Sequence, residues 1–142
     1  MKEITATIMP ISAFPPDERS TFSAWTWELR QQNQFDMDIV SYPRTCIARA
    51  ESEGSPLLYV PIQPVLMLES LAPDPRLTKS QKALALWRVV EQMDDVMKLT
   101  GMHETYFVTQ DDQFAERALA AGFTEVKGHV LKRKLNAAQI LS

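Results

Sequence analysis

The order of apolar and polar residues along this chain predicts an alternating series of strands and helices. In the first predicted strand, Ile4 and Ile8 lie on one face and Thr5 and Thr7 on the other, because side chains alternate across a strand. Other stretches carry apolar residues three and four positions apart, which is the spacing of an amphipathic helix. Strands are predicted at residues 4–11, 38–50, 57–61, 65–71, 104–109 and 123–135, and helices at residues 16–32, 78–100 and 111–121.

The first predicted helix carries a start signal at Pro16, Asp17 and Glu18. Proline in the first turn loses no helical hydrogen bond, and acidic side chains there favour the helix dipole. Apolar residues then follow at helical spacing. The aromatic residues of this helix are expected in the core or at its rim: Phe22, Trp25 and Trp27.

The longest predicted helix has signals at both ends. Thr78 and Gln81 form a candidate capping box, in which each side chain bonds a backbone N–H at the other position. Gly101 is the predicted C-terminal cap. Between them runs an apolar stripe: Ala83, Leu86, Trp87, Val90, Met93 and Met97. A shorter helix is expected to begin at Asp111 or Asp112 and to end before Gly122.

The connections predict the topology. A turn at residues 52–55 and short links favour an antiparallel meander of the second, third and fourth strands. Helices follow the fourth and fifth strands, and parallel strands need such a crossover. The expected fold is therefore a single α/β (α+β) domain with one mixed, mostly antiparallel central sheet and helices on both faces.

Composition narrows the function without identifying it. The chain has 142 residues and a formal net charge of -3, so nothing indicates general attraction to nucleic acid or to an anionic membrane. Its single cysteine, Cys46, excludes an internal disulfide and is expected to pack in the interior, and two histidines make a His-rich metal site unlikely. No targeting segment is recognisable, so a cytoplasmic protein is expected.

The stretch from the fourth strand into the long helix is the strongest candidate for a binding site. A strand-to-helix turn directs free backbone N–H groups and the positive end of a helix dipole at one spot, which suits an anion. Arg76, Lys79 and Lys82 lie in this turn, but no glycine does. A phosphate site is one interpretation. The other is that the three cations simply solvate the exposed start of a helix.

Taken in order, these features resemble the GNAT family of acyl-CoA-dependent N-acetyltransferases. The string AERALAAGFTEV, residues 115–126, is similar to the family's last helix with its Gly-Phe ending, and LAPDP, residues 71–75, is similar to the end of its fourth strand. The resemblance implies that the strands flanking the long helix splay apart and that the pantetheine of an acyl-CoA lies in the gap. It places the pyrophosphate on the N-terminus of that helix.

The resemblance also assigns residues to roles. The family's pyrophosphate loop, Gln/Arg-x-x-Gly-x-Gly/Ala, matches residues 76–81, with Lys79 and Gln81 in place of the glycines and with Lys79 able to supply a charged contact instead. Ala118 stands where the family often has a tyrosine acid. The implied acyl-CoA-binding residues are Ser70, Leu71, Arg76, Lys79, Ser80, Gln81, Lys82 and Asp111.

Two residues are candidates for catalysis. Glu69 would act as general base for an ammonium substrate, and partial burial beside Leu66, Met67 and Leu68 would favour that role. The alternative is a glutamate that faces solvent. Tyr106 is a weaker candidate for an acid or an orienting hydroxyl. A backbone N–H near Ser70 or Leu71 would stabilise the oxyanion.

Two functional hypotheses follow. In the first, acetyl-CoA or another acyl-CoA is the co-substrate, no metal is needed, and the acceptor is an amine on a small molecule or a peptide. In the second, the fold is kept as a non-catalytic module for protein interaction or assembly, as the lost glycines, Ala118 and the tryptophans suggest. The sequence leaves the oligomeric state open, a homodimer included.

Overall fold

The computed structural model describes residues 2–32, 34–69 and 71–141, and it divides the chain into two compact units, Met1–Thr109 and Gln110–Ser142. The fold is mixed α+β. The strands of the first unit are β1 (Thr5–Pro10), β2 (Cys46–Ser52), β3 (Ser55–Ile62), β4 (Leu66–Leu68) and β5 (Thr105–Phe107). Its α-helices are α1 (Pro16–Trp25), α2 (Trp27–Gln31) and α3 (Lys79–Thr100).

Strands β1, β2 and β3 form an antiparallel sheet in that order. The predicted turn at residues 52–55 is confirmed as a two-residue loop of Glu53 and Gly54, both with positive φ. Such loops suit a hairpin because their backbone twist matches that of the strands. Glu53 adopts this conformation at φ 53°, where a glycine would be less strained.

One face of this sheet packs against the chain that precedes α1 and against α1 itself. The core consists of five buried residues, Ile11, Phe14, Phe22, Ile47 and Tyr59, with the three aromatic rings in edge contact. Ile47 is fully buried, and Met9 packs against the same cluster. The expectation that Phe22 lies in the core is confirmed, whereas Trp25 and Trp27 are exposed.

The opposite face of the sheet is apolar and open, which corrects the prediction of helices on both faces. The register places Ile8, Ala48 and Val60 side by side on this face, with Leu58 and Ile62 beside Val60. The large side chains among them are exposed. Cys46, which was expected in the interior, lies on this face and is half-buried.

The helix predicted over residues 16–32 is interrupted at Thr26. Its start is as predicted, with Pro16 in the first turn followed by Asp17 and Glu18. The hydroxyl of Thr26 donates to the carbonyls of Phe22 and Ser23, at 3.0 and 3.2 Å. Hydrogen bonds of this kind to the preceding turn bend helices, and they explain why α1 and α2 are separate.

The prediction of a strand over residues 38–50 was wrong for the first half of that range. Residues Met37–Ser41 form a 3₁₀ helix, and β2 begins only at Cys46. Local hydrogen bonds account for the difference: the Asp36 carboxylate accepts from the N–H of Asp38, and the buried Thr45 hydroxyl donates to the Ile39 carbonyl. These contacts offer the backbone an alternative to a sheet.

The fourth predicted strand is not part of the antiparallel meander. After Pro64, which has no N–H to continue a ladder, β4 pairs in parallel with β5 as a separate two-stranded sheet. The prediction of one central sheet was therefore wrong, whereas the parallel pairing that was expected of the fourth and fifth strands is confirmed. The helix α3 connects them, with the predicted capping box at Thr78 and Gln81 and with Gly101 in the left-handed conformation at its end.

The second unit contains α4 (Asp112–Ala120) and α5 (Ala137–Leu141). Asp111 caps α4 as predicted, by accepting from the N–H groups of Gln113 and Phe114. The strand predicted over residues 123–135 was wrong, because that stretch has no regular secondary structure. A strand needs a partner ladder as well as a suitable sequence. None of the helices in the described parts of the chain is long and apolar enough to cross a membrane.

Candidate functional site

The predicted binding site lies where β4 and β5 end. The two strands pair from Leu66 opposite Thr105 to Leu68 opposite Phe107, and a last bond joins the N–H of Val108 to the carbonyl of Leu68, at 3.4 Å. The helix α3 runs from the carboxyl end of β4 back to the start of β5. Its amino end therefore lies toward the edge where both strands finish, which is the usual ligand edge of parallel sheets.

The chain leaves β4 through Glu69, which is exposed, in agreement with the alternative of a glutamate that faces solvent and not with partial burial. A strand end lacks a neighbour on its open side, and β4 stops one residue before Glu69. Leu71 is half-buried. Ser70, the other predicted residue of this segment, lies outside the described residues.

A compact turn then leads into α3. The N–H of Leu77 bonds to the carbonyl of Asp74, with Pro75 at the second position, where its fixed φ suits a turn. The Asp74 carboxylate accepts from the backbone N–H of Arg76 and pairs with its guanidinium at 2.8 Å. The hydrogen bonds from Arg76 lower the pKa of Asp74. Arg76, expected to contact phosphate, is thus engaged by a neighbouring carboxylate on the surface.

The amino end of α3 retains two unbonded amides. In the capping box, the N–H of Thr78 donates to Gln81 Oε1 at 2.9 Å and the N–H of Gln81 donates to Thr78 Oγ1 at 3.2 Å. Across the described residues, the N–H groups of Lys79 and Ser80 have no acceptor. Lys79, Ser80 and Gln81 are exposed, and Lys82 is half-buried with its charge close enough to Asp74 to lower the pKa of that carboxyl further.

Tyr106, the second catalytic candidate, lies opposite Met67 in the parallel pair. Its hydroxyl donates to Glu104 Oε2 at 3.4 Å, and Gln63 donates to the same oxygen at 2.7 Å. Burial, and then the charge of Glu104, raise the pKa of Tyr106. The phenol therefore keeps its proton at neutral pH, as a proton donor or an orienting hydroxyl requires.

Asp111 belongs to the second unit, so the described geometry does not bring it together with the residues around α3. Its carboxylate caps α4. Ala118, on the same helix, is buried. A tyrosine at that position would need to displace its packing.

Sequence reasoning missed two polar groupings. Beside the start of β5, the rings of Tyr42 and His103 stack at 4.5 Å, and burial and the charge of Glu104 raise the pKa of Tyr42. Tyr42 and His103 are far apart in sequence, as are Glu18 and Arg49 in the second grouping, so no local sequence signal marks either grouping.

The second grouping is centred on Arg49. Its guanidinium pairs with Glu18 at 2.5 Å and with Glu51, and the Tyr59 hydroxyl donates to Glu18 at 3.1 Å. A cavity of about 360 Å³ lies beside it and is lined by Asp17, Thr21 and Gly54 among others. Arg49 attracts both carboxylates, although its Nε has no hydrogen-bond partner among the described residues, and these ion pairs link the hairpin to α1.

No set of three or more histidine, cysteine, aspartate or glutamate residues in the described ranges is arranged to hold a metal ion. Comparison of the chain with family models, with curated proteins and with solved structures gives no match. The site must therefore be interpreted from its own chemistry.

Proposed function

We propose that this chain binds an acyl-CoA at the turn between β4 and α3 and transfers its acyl group to an amine, as a divergent GNAT-like protein. The observation that carries the proposal is the amino end of α3, where the Lys79 and Ser80 amides are unbonded among the described residues and Lys79 and Lys82 add positive charge. Backbone amides, a helix dipole and cations together favour a pyrophosphate.

The residues in the glycine positions are compatible with this ligand. Lys79 is exposed, so its ammonium group is accessible to a phosphate and could supply a charge-assisted contact. Gln81 uses its side-chain oxygen on the N–H of Thr78 and leaves the next two amides open. The capping box also fixes where the helix begins, which holds those amides in place before a ligand arrives.

An acyl-CoA supplies an activated thioester, and this chain would supply proton transfer and orientation. Glu69 follows Met67 by two residues, and Met67 lies opposite Tyr106. An exposed carboxylate at this edge would accept a proton from an incoming ammonium through water. The raised pKa keeps the proton on Tyr106, and its hydroxyl would exchange the 3.4 Å hydrogen bond to Glu104 for one donated to the leaving sulfur.

Calorimetric titration of the full chain with acetyl-CoA tests the proposal, with S-acetylpantetheine as the matched ligand that lacks the pyrophosphate. We expect acetyl-CoA to bind more tightly, and Lys79→Gln to weaken it about fivefold, the equivalent of about 1 kcal/mol for one lost charged contact. Lys98→Gln, at the other end of α3, is the control and should have no effect. Equal affinity for both ligands would contradict the proposal that the amino end of α3 binds the pyrophosphate.

A non-catalytic role in protein interaction is the second candidate, and the amount of exposed apolar surface favours it. Trp25, Trp27 and Trp87 are all exposed, as are large residues of the open sheet face. Exposed apolar patches of this kind mark interaction surfaces. No heat and no thermal shift at millimolar acetyl-CoA would favour this function over the first.

A further inference from the structure

The long helix α3 carries apolar side chains on two separate faces. All of its 22 residues are described, and none of them is buried. One stripe is half-buried, and the Thr105 hydroxyl contacts the Met97 sulfur, so this stripe faces β5. Its residues are Ala83, Leu86, Val90, Met93 and Met97.

The second stripe faces solvent and has the spacing of a coiled coil. Its positions follow one another at intervals of four, three, four and three residues: Ala85, Val89, Gln92, Val96 and Leu99. The exposed fractions of Val89, Val96 and Leu99 are 48%, 43% and 87%. Valine occupies two of these positions and leucine one, so the stripe offers apolar side chains that can pack into the holes of a facing helix, with Gln92 as a polar residue among them.

The charges on α3 indicate which partner fits this stripe. Lys79, Lys82 and Arg88 give the first half of the helix a charge of +3, whereas the second half carries three acids, Glu91, Asp94 and Asp95, against one cation, Lys98, and so a charge of -2. A second copy of α3 laid antiparallel brings each basic half against an acidic half. A parallel copy would bring like charges together.

The same conclusion follows at the edge of the stripe. Arg88 and Asp95 are seven residues apart and flank the stripe on the same side. In an antiparallel pair these flanking positions face each other across the interface, so that Arg88 of one chain meets Asp95 of the other, twice by symmetry. Arg88 now pairs with Glu91 on the surface, which is a weak interaction that it can exchange.

We infer that this chain forms a twofold symmetric dimer through the solvent-facing stripe of α3, with the two helices antiparallel. The interface uses the helix surface opposite the stripe that faces β5. The interface does not depend on ligand binding at the amino end of α3. Failure of the acyl-CoA proposal would therefore leave the dimer proposal intact, and the reverse also holds.

Sedimentation equilibrium of the full chain tests the inference. Concentrations from about 1 to 100 μM cover the range in which a dimer held by one pair of helices is expected to dissociate. We expect a mass of twice the 16.1 kDa of the chain at the upper end. Val96→Asp should raise the dissociation constant at least about tenfold, because it places a carboxylate in the stripe. Leu84→Asp, at a residue that is 57% exposed and lies off the stripe, is the control, and circular dichroism checks that both variants fold.

Charge reversal tests the orientation. Arg88→Asp and Asp95→Arg should each weaken the dimer, and the double variant R88D/D95R should restore it, since the two charges then meet in the opposite sense. A monomer throughout the concentration range overturns the inference, as does a dimer that Val96→Asp leaves unchanged. A double variant that stays as weak as the single ones overturns the antiparallel arrangement.

Discussion

The sheet of β1, β2 and β3 and the β4–α3–β5 segment are both rich in apolar residues, but they bury them to different extents. In the first region, Phe14, Phe22 and Ile47 are almost wholly removed from solvent. In the second, the whole of α3 contains no buried residue. Amphipathic spacing thus predicts that an element exists. It does not say whether the apolar face meets the rest of its own chain or another molecule.

The polar contacts of the two regions differ in the same way. Arg49 lies between Glu18 and Glu51 with only 15% of its side chain exposed, whereas the side chain of Arg76, paired with Asp74, is 88% exposed. Shielded pairs are weakened little by salt, and exposed pairs contribute little to stability. The first region is therefore held together in part by shielded ion pairs, whereas the ion pair of the second region lies on the surface.

The largest expected effect is a core truncation. Ile47→Ala should lower the free energy of unfolding by about 2–5 kcal/mol, because it removes a fully buried side chain and leaves a cavity. Leu84→Ala deletes a side chain of equal size from the exposed surface of α3 and should cost less than about 0.5 kcal/mol. Urea unfolding measures both, and equal losses would show that α3 is as well packed as the sheet.

A smaller effect is expected from the ion pairs. Arg49→Met should cost about 2–3 kcal/mol, since it leaves Glu18 and Glu51 close together without their cation. Arg76→Met, the exposed counterpart, should leave the unfolding midpoint unchanged. Repeating the urea unfolding of both variants in high salt sharpens the contrast, because the loss of unfolding free energy caused by Arg49→Met should persist. If salt abolishes it, the pair is exposed to solvent after all.

The smallest effect concerns pH. Burial and the hydrogen bond to Glu18 raise the pKa of Tyr59, and burial and the charge of Glu104 raise that of Tyr106. The folded chain then holds these protons more tightly than the unfolded chain, so stability that is full below about pH 10 is lost as the pH rises through the raised values. The urea midpoint should fall above about pH 10, and less so in Tyr59→Phe and Tyr106→Phe. A urea midpoint that does not change above this pH would contradict the raised pKa values of Tyr59 and Tyr106.

Elements that depend on neighbouring residues could be predicted from the sequence. The capping box of Thr78 and Gln81, the Gly101 cap and the Asp111 cap all form between residues at most four apart, and each is present in the structure. A further reciprocal cap, between Asn136 and Gln139 at the start of α5, had the same kind of signal and was overlooked.

Elements that depend on distant residues could not be predicted in this way. The strand predicted over residues 123–135 has no partner ladder to join, and the early part of residues 38–50 is held in a 3₁₀ helix by hydrogen bonds that include one from Thr45, outside that helix. For the candidate site, the sequence shows which cations the turn contains: Arg76, Lys79 and Lys82. It could not show that Arg76 is already paired with Asp74, because that contact depends on the turn closing.

The two-residue connection between β2 and β3 has a consequence for the order in which this chain folds. Closing so short a loop costs little chain entropy, and hairpins form on the order of microseconds. By contrast, β1 must find β2 across more than thirty intervening residues, and β4 must find β5 across α3. We expect the hairpin to nucleate folding and the parallel pair to assemble late, so that the edge where β4 and β5 end is the last part of the first unit to take shape.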